Sequence, residues 1–184
     1  MSTRLRFATY ALPLVAFAFL AALFAWRLGL AERGMTPDLL PSPLIGRTVP
    51  TFDLETIEEG KRLTSQDLKG KVSLVVFFAS WCPECQIEHP QLIELGKRSD
   101  MTLYGMAYKD PSQKMAQWLA QRGNPYVAVG QDTGRRVAMD FGVYAVPESY
   151  LIDKTGTIRL KHTGALTADF IDGELLPLVA ELNR

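Results

Sequence analysis

Val72-Ser73-Leu74-Val75-Val76-Phe77-Phe78-Ala79-Ser80-Trp81-Cys82-Pro83-Glu84-Cys85 passes from an almost unbroken apolar run to helical spacing within fourteen residues. The run from Val72 to Phe78 is the pattern of a strand covered on both faces. Helical periodicity begins at Pro83, a residue suited to the first turn, where its missing N–H costs nothing. Cys82 and Cys85 are the only cysteines in the chain. A strand that ends in Cys-x-x-Cys and feeds a helix is the sequence form of a dithiol/disulfide redox centre. The first sulfur falls at a helix N-terminus, where unpaired N–H groups favour a thiolate, the attacking species. The second returns within bonding reach one turn later and can resolve a mixed disulfide. A purely structural bridge is the alternative. Zinc needs four ligands, and beyond these cysteines the chain offers two histidines, of which His162 has no ligand-like spacing.

Outward from this centre, Pro83 to Arg98 carries apolar residues at Ile87, Leu92, Ile93 and Leu95, an amphipathic helix in which Pro90 predicts a kink. Met101 to Ala107 reads as a second buried strand, so strand, helix, strand implies a parallel pair. Further elements are a helix over Ser112 to Arg122, a strand over Tyr126 to Val129 and a helix over Thr133 to Phe141. A hairpin joins Tyr150 to Asp153 with Thr157 to His162 about Lys154-Thr155-Gly156, and Thr167 to Leu182 closes the chain as a helix. Upstream, Phe52 to Leu54 and Arg62-Leu63 form short strands about Glu58 to Lys61. Thr64 to Leu68 reads as a helical turn with a hydroxyl cap. The expected architecture is α/β, a mixed sheet flanked by helices, with the cysteines at the C-terminal end of a central strand.

The N-terminus reads differently. Arg4 and Arg6 precede Phe7 to Trp26, twenty residues without a charged side chain, enough to span a bilayer as one helix. A cleaved secretory signal is the alternative, but Ala16-Phe17-Ala18 lies mid-run and Leu23-Phe24-Ala25 puts a bulky residue at a cleavage position. The expected organisation is a cytoplasmic N-terminus over 1–6, a transmembrane anchor over 7–26, a tether over 27–47 holding Pro37, Pro41 and Pro43, and a redox domain over 48–184. Net charge is zero, which gives no support for a nucleic-acid partner. Thiol chemistry on a membrane suits an oxidising space such as a bacterial periplasm.

Strand, Trp-Cys-x-x-Cys, helix and a later Val-Pro before the final hairpin resemble the thioredoxin fold over about residues 45 to 184. More narrowly, Pro43-Leu44-Ile45-Gly46, Trp81-Cys82-Pro83, Glu88-His89-Pro90, Tyr108-Lys109-Asp110, Gly123-Asn124-Pro125-Tyr126 and Gly142-Val143-Tyr144 with Pro147-Glu148 resemble the CcmG/DsbE thiol:disulfide reductases of cytochrome c maturation. The resemblance implies a single-pass protein of the inner membrane whose catalytic domain faces the periplasm. It implies a reductant of apocytochrome c, or of a partner thiol protein, re-reduced by a dithiol donor in the membrane. It implies Cys82 and Cys85 as the redox-active disulfide, no bound cofactor and no metal, and a supporting groove of Trp81, Pro83, Glu88, Tyr144, Pro147 and Glu148. The proline matching Pro147 is cis in that family, and the backbone beside it pairs with an extended client.

Three details qualify that picture. Val76 stands on the central strand where many thioredoxins carry a buried acid, so another acid would have to serve, with Glu88, Glu148 and Tyr144 the candidates, unless Glu88 merely solvates an exposed helix face. Glu84 opposes a Cys82 thiolate and points toward a reductant. Ala145 stands where the family often has glycine and takes a positive φ less easily. Alternatives of different kind are a general envelope oxidoreductase and a thioredoxin-fold chaperone holding apocytochrome.

Overall fold

The computed structural model describes residues 3–32 and 42–184. The chain divides into two units, Met1–Pro41 and Ser42–Arg184. In the first, α1 spans Thr3–Glu32 with Pro13 inside it, beyond both ends of the apolar run over 7–26. Among the described residues no helix is long and apolar enough to cross a membrane. Residues 33–41, much of the expected tether, lie outside the described residues.

The second unit is built on a five-stranded sheet of order β5-β4-β3-β6-β7. Its strands are β3 (Ser73–Phe78), β4 (Thr102–Tyr108), β5 (Ala128–Asp132), β6 (Glu148–Ile152) and β7 (Ile158–Thr163). A separate antiparallel pair, β1 (Asp53–Glu55) and β2 (Arg62–Thr64), precedes them. β3 pairs in parallel with β4, which pairs in parallel with β5, whereas β6 and β7 run antiparallel. Every residue of β3 is buried. Leu74, Val76 and Phe78 join one core with the buried sides of α2 (Pro83–Leu95), α3 (Ser112–Arg122) and the C-terminal helix. Val75 and Phe77 point the other way, into a core with Tyr104, Met106 and Tyr150 and with Val137 and Phe141 from α4 (Arg136–Asp140) and its end. Pleat alternation and cover on both faces together explain why β3 reads as continuously apolar.

Several boundaries move for local reasons. β5 starts at Ala128, not Tyr126: Tyr126 is turned into the core against Phe78, ring centroids 4.8 Å apart, and its N–H is taken by Asn124 Oδ1. α4 starts at Arg136, not Thr133, because the carboxylate of Asp132 receives the N–H groups of Val137 and Ala138. The C-terminal segment is three pieces: α5 (Ala168–Phe170), a π-helical turn Ile171–Leu175 and α6 (Leu176–Asn183). Thr64 to Leu68 is a hydrogen-bonded turn in which Asp67 supplies the cap, accepting from Thr64 N and Thr64 Oγ1 at 2.7 Å each. Ser42 to Arg47, read as the end of a tether, packs onto the sheet: Gly46 N–H donates to Ile158 O at 2.8 Å, and Ile158 N–H to Arg47 O at 2.9 Å.

Candidate functional site

The site is assembled where β3 and β4 end. Cys82 is the N-cap of α2, with φ −87° and ψ 118°, and Pro83 takes the first helical position. This extended cap conformation turns the Cys82 sulfur back over the helix N-terminus, where it accepts the N–H of Cys85 at 3.1 Å. The two cysteines are paired as a disulfide with Cα atoms 5.3 Å apart, and both are almost fully buried. Cys82 Sγ lies 3.4 Å from the carbonyl oxygen of Val146. The Val146–Pro147 peptide is cis, and it is the Val146 carbonyl of this bond that stands at the Cys82 sulfur. Ala145 does not take a positive φ, since Lys109 and Arg135 are the non-glycine residues that do among those described. The missing glycine therefore imposes no strain there.

Trp81 is half exposed beside the disulfide, and its indole N–H donates to Lys109 O at 3.3 Å. The next residue, Asp110, is buried and its Oδ2 accepts the N–H of Ser80 at 2.5 Å. The end of β4 thus holds the Ser80-Trp81 turn at two points, and Lys109 adopts φ 49° to present both groups. Sequence reasoning assigns Asp110 no role; the signal that could have found it is the Asp-Pro step that opens α3.

Glu88 and Glu148 differ sharply. Glu88 is buried, not solvating an exposed face: Oε2 accepts the N–H of Leu166 at 3.0 Å, while Oε1 is buried without a partner. Burial pushes its pKa from 4.5 to about 7, opposed by the Leu166 hydrogen bond and aided by the Glu84 charge. It follows Cys85 by three residues, so both lie on the buried side of α2. Burial and the Glu88 charge hold the Tyr126 hydroxyl well above its usual range. His89 is buried with Nε2 3.1 Å from Gly123 O and its ring against Trp118 at 4.5 Å. Burial pulls its pKa down.

Glu148 is buried too, but both its oxygens are occupied. Oε1 accepts the N–H groups of Tyr144 and Ala145 at 3.2 and 3.3 Å, and Oε2 lies 2.9 Å from both the Tyr150 hydroxyl and Lys161 Nζ. Tyr144 is exposed, with its hydroxyl 3.3 Å from Thr163 Oγ1. Lys161 is a site residue that sequence reasoning missed, since alternation along a strand carries no sign of an ionic partner.

A capped Cys-x-x-Cys helix, a cis-proline loop on the sulfur and a buried acid one turn on can exchange dithiol for disulfide. A family model described as Redoxin matches residues 44–173. The chain belongs to the Redoxin family. Within it, the chain is 41% identical over 149 residues to the thiol:disulfide interchange protein DsbE of Pseudomonas aeruginosa, covering 80% of this chain and 82% of the relative. Against DsbE of Escherichia coli K12 it is 38% identical over 175 residues, 94% of each chain. A solved thiol:disulfide interchange protein of Chlorobium tepidum superposes with TM-score 0.61 at 26% identity, over 80% of this chain and all of that one. The protein is thus a DsbE-like thiol:disulfide interchange protein of thioredoxin-like fold, a thiol:disulfide oxidoreductase.

Proposed function

We propose that this Redoxin-family protein is an anchored periplasmic reductant that keeps the haem-attachment cysteines of apocytochrome c, or of a partner thiol protein, reduced. The observation that carries the direction is the environment of Cys82 Sγ. Its one N–H donor is Cys85, whereas the Val146 carbonyl oxygen stands 3.4 Å away. In the reduced protein that carbonyl accepts the Cys82 thiol proton and favours the neutral thiol, as does the exposed Glu84 between the cysteines. A reduced form without strong thiolate stabilisation is the poorer oxidant and the better reductant.

In the reaction, the Cys82 thiolate attacks one sulfur of the client disulfide, forming a mixed disulfide and expelling the other client sulfur as a thiolate. Cys85 gives its proton to Glu88 and attacks Cys82 Sγ, closing Cys82–Cys85 and releasing the second client thiolate. Two electrons have then passed to the client, and a membrane dithiol returns the pair to the reduced state. The cysteines carry the electrons, so the protein needs no cofactor or metal of its own, and any haem belongs to the client. Trp81, Pro83, Tyr144 and Pro147 line the approach, with the client strand alongside Pro147. The anchor rests on the uncharged run from Phe7 to Trp26 and on α1, where apolar side chains such as Phe17, Phe19 and Phe24 are exposed.

Equilibration with glutathione or dithiothreitol, read through Trp81 fluorescence, tests the direction. A potential near that of thioredoxin, about −270 mV, is expected, whereas one near about −120 mV would make the protein a disulfide donor.

A further inference from the structure

Residues 142–147 join α4 to β6 without a ladder partner of their own, yet their carbonyl at Val146 must stand at a set distance from Cys82. Backbone bonds tie their ends, Gly142 N–H to Met139 O, Val143 N–H to Ala138 O and Gly164 N–H to Pro147 O, and three further bonds converge on one pair of side chains. Glu148 Oε1 receives the Tyr144 and Ala145 N–H groups, and Glu148 Oε2 receives Lys161 Nζ at 2.9 Å. The same Nζ donates to Gly142 O at 2.9 Å, at the start of the loop, and lies 4.9 Å from the Tyr144 ring centroid and 5.5 Å from that of Tyr150. Lys161 sits opposite Tyr150 in the β6–β7 register, which places it diagonally from Glu148 on one sheet face. The Glu148 side chain is fully buried and that of Lys161 is 12% exposed, so the pair is held in a low-dielectric setting where its geometry is fixed.

We propose that Lys161 is a positioning residue for the loop that receives the client: with Glu148 it forms a buried ion pair that clamps residues 142–147 against Cys82. Glu148, its oxygens taken by four donors, serves as a clamp, which leaves Glu88 with its free Oε1 as the acid that moves a proton. The exposed Tyr144 ring is held over Lys161 and presents a fixed aromatic face on this loop. The proposal rests on client docking along this loop, and its test separates the two.

Lys161→Met, in the full chain, should speed amide hydrogen exchange at Tyr144 and Ala145 at least about tenfold, the effect of losing one charge-assisted bond. It should raise KM for an oxidised Cys-x-x-Cys-His peptide by about tenfold and move the Cys82–Cys85 potential toward the oxidising end, because the Val146 carbonyl is no longer held at Cys82 Sγ. Lys161→Arg, which keeps the charge and the reach, should behave as the parent. If Lys161→Met does not fold, Lys161→Met with Glu148→Met, which leaves no unpaired buried charge, carries the same expectations. Exchange at the two amides equal to the parent's overturns the clamp, whatever the client does. Faster exchange with an unchanged KM instead refutes docking along the loop, and the positioning role falls with it.

Discussion

Replacing Glu88 by glutamine removes one titratable group and almost no volume. The glutamine carbonyl can still accept the Leu166 N–H, and its amide occupies the place of the unpartnered Oε1. In the folded protein burial raises the Glu88 pKa from 4.5 to about 7. Between those values the folded chain holds a proton that the unfolded chain has released. Stability therefore falls as pH rises through this window, is unaffected below it and stays reduced above it. The full difference corresponds to about 3 kcal/mol, since each pKa unit is about 1.4 kcal/mol. Urea unfolding of the oxidised protein, followed by tryptophan fluorescence from pH 4 to 8.5, should show Glu88→Gln nearly equal to the parent at pH 4 and more stable by about 3 kcal/mol at pH 8. The same variant should lose about 100-fold in reductase turnover above pH 7, the contribution of a positioned general base, and its rate profile should lose the inflection near 7. A difference in stability that does not change with pH, or an inflection that survives in the variant, would refute the assignment of that ionisation to Glu88.

Substitutions at four other positions probe the site and the core beneath it. Cys82→Ser should abolish turnover, and Cys85→Ser should accumulate a covalent Cys82–client disulfide visible by mass spectrometry of non-reduced samples, because the resolving sulfur is gone. Asp110→Ala removes the acceptor of the Ser80 N–H and should lower stability by about 2 kcal/mol while shifting Trp81 emission; Asp110→Asn, which retains an acceptor, should lose less. Gly105→Ala, in the centre of β4, would set a methyl 2.7 Å from Phe78 Cε1 and 3.1 Å from Val129 Cγ2, so thermal melting should report a loss of about 1–3 kcal/mol with the active-site potential unmoved.

What could be read from the sequence was what local chemistry determines. The apolar run of β3, the proline at the first position of α2 and the helix over Ser112–Arg122 are each set within a few residues, and each element forms where the sequence places it. The boundaries that moved were those where a tertiary partner captured a local group: Tyr126 drawn against Phe78, and the N–H groups of α4 drawn to Asp132. The two acids show the same division at the level of function. Spacing placed Glu88 one turn beyond Cys85 and Glu148 beside Pro147, but nothing near either residue in the sequence tells a proton carrier from a clamp. That distinction comes from groups far along the chain, Leu166 for the one and Lys161 for the other. A carboxylate that receives one N–H and keeps a buried oxygen free titrates within the working range of a thiol enzyme. One enclosed by two N–H groups, a hydroxyl and an ammonium has both oxygens committed to holding those groups in place.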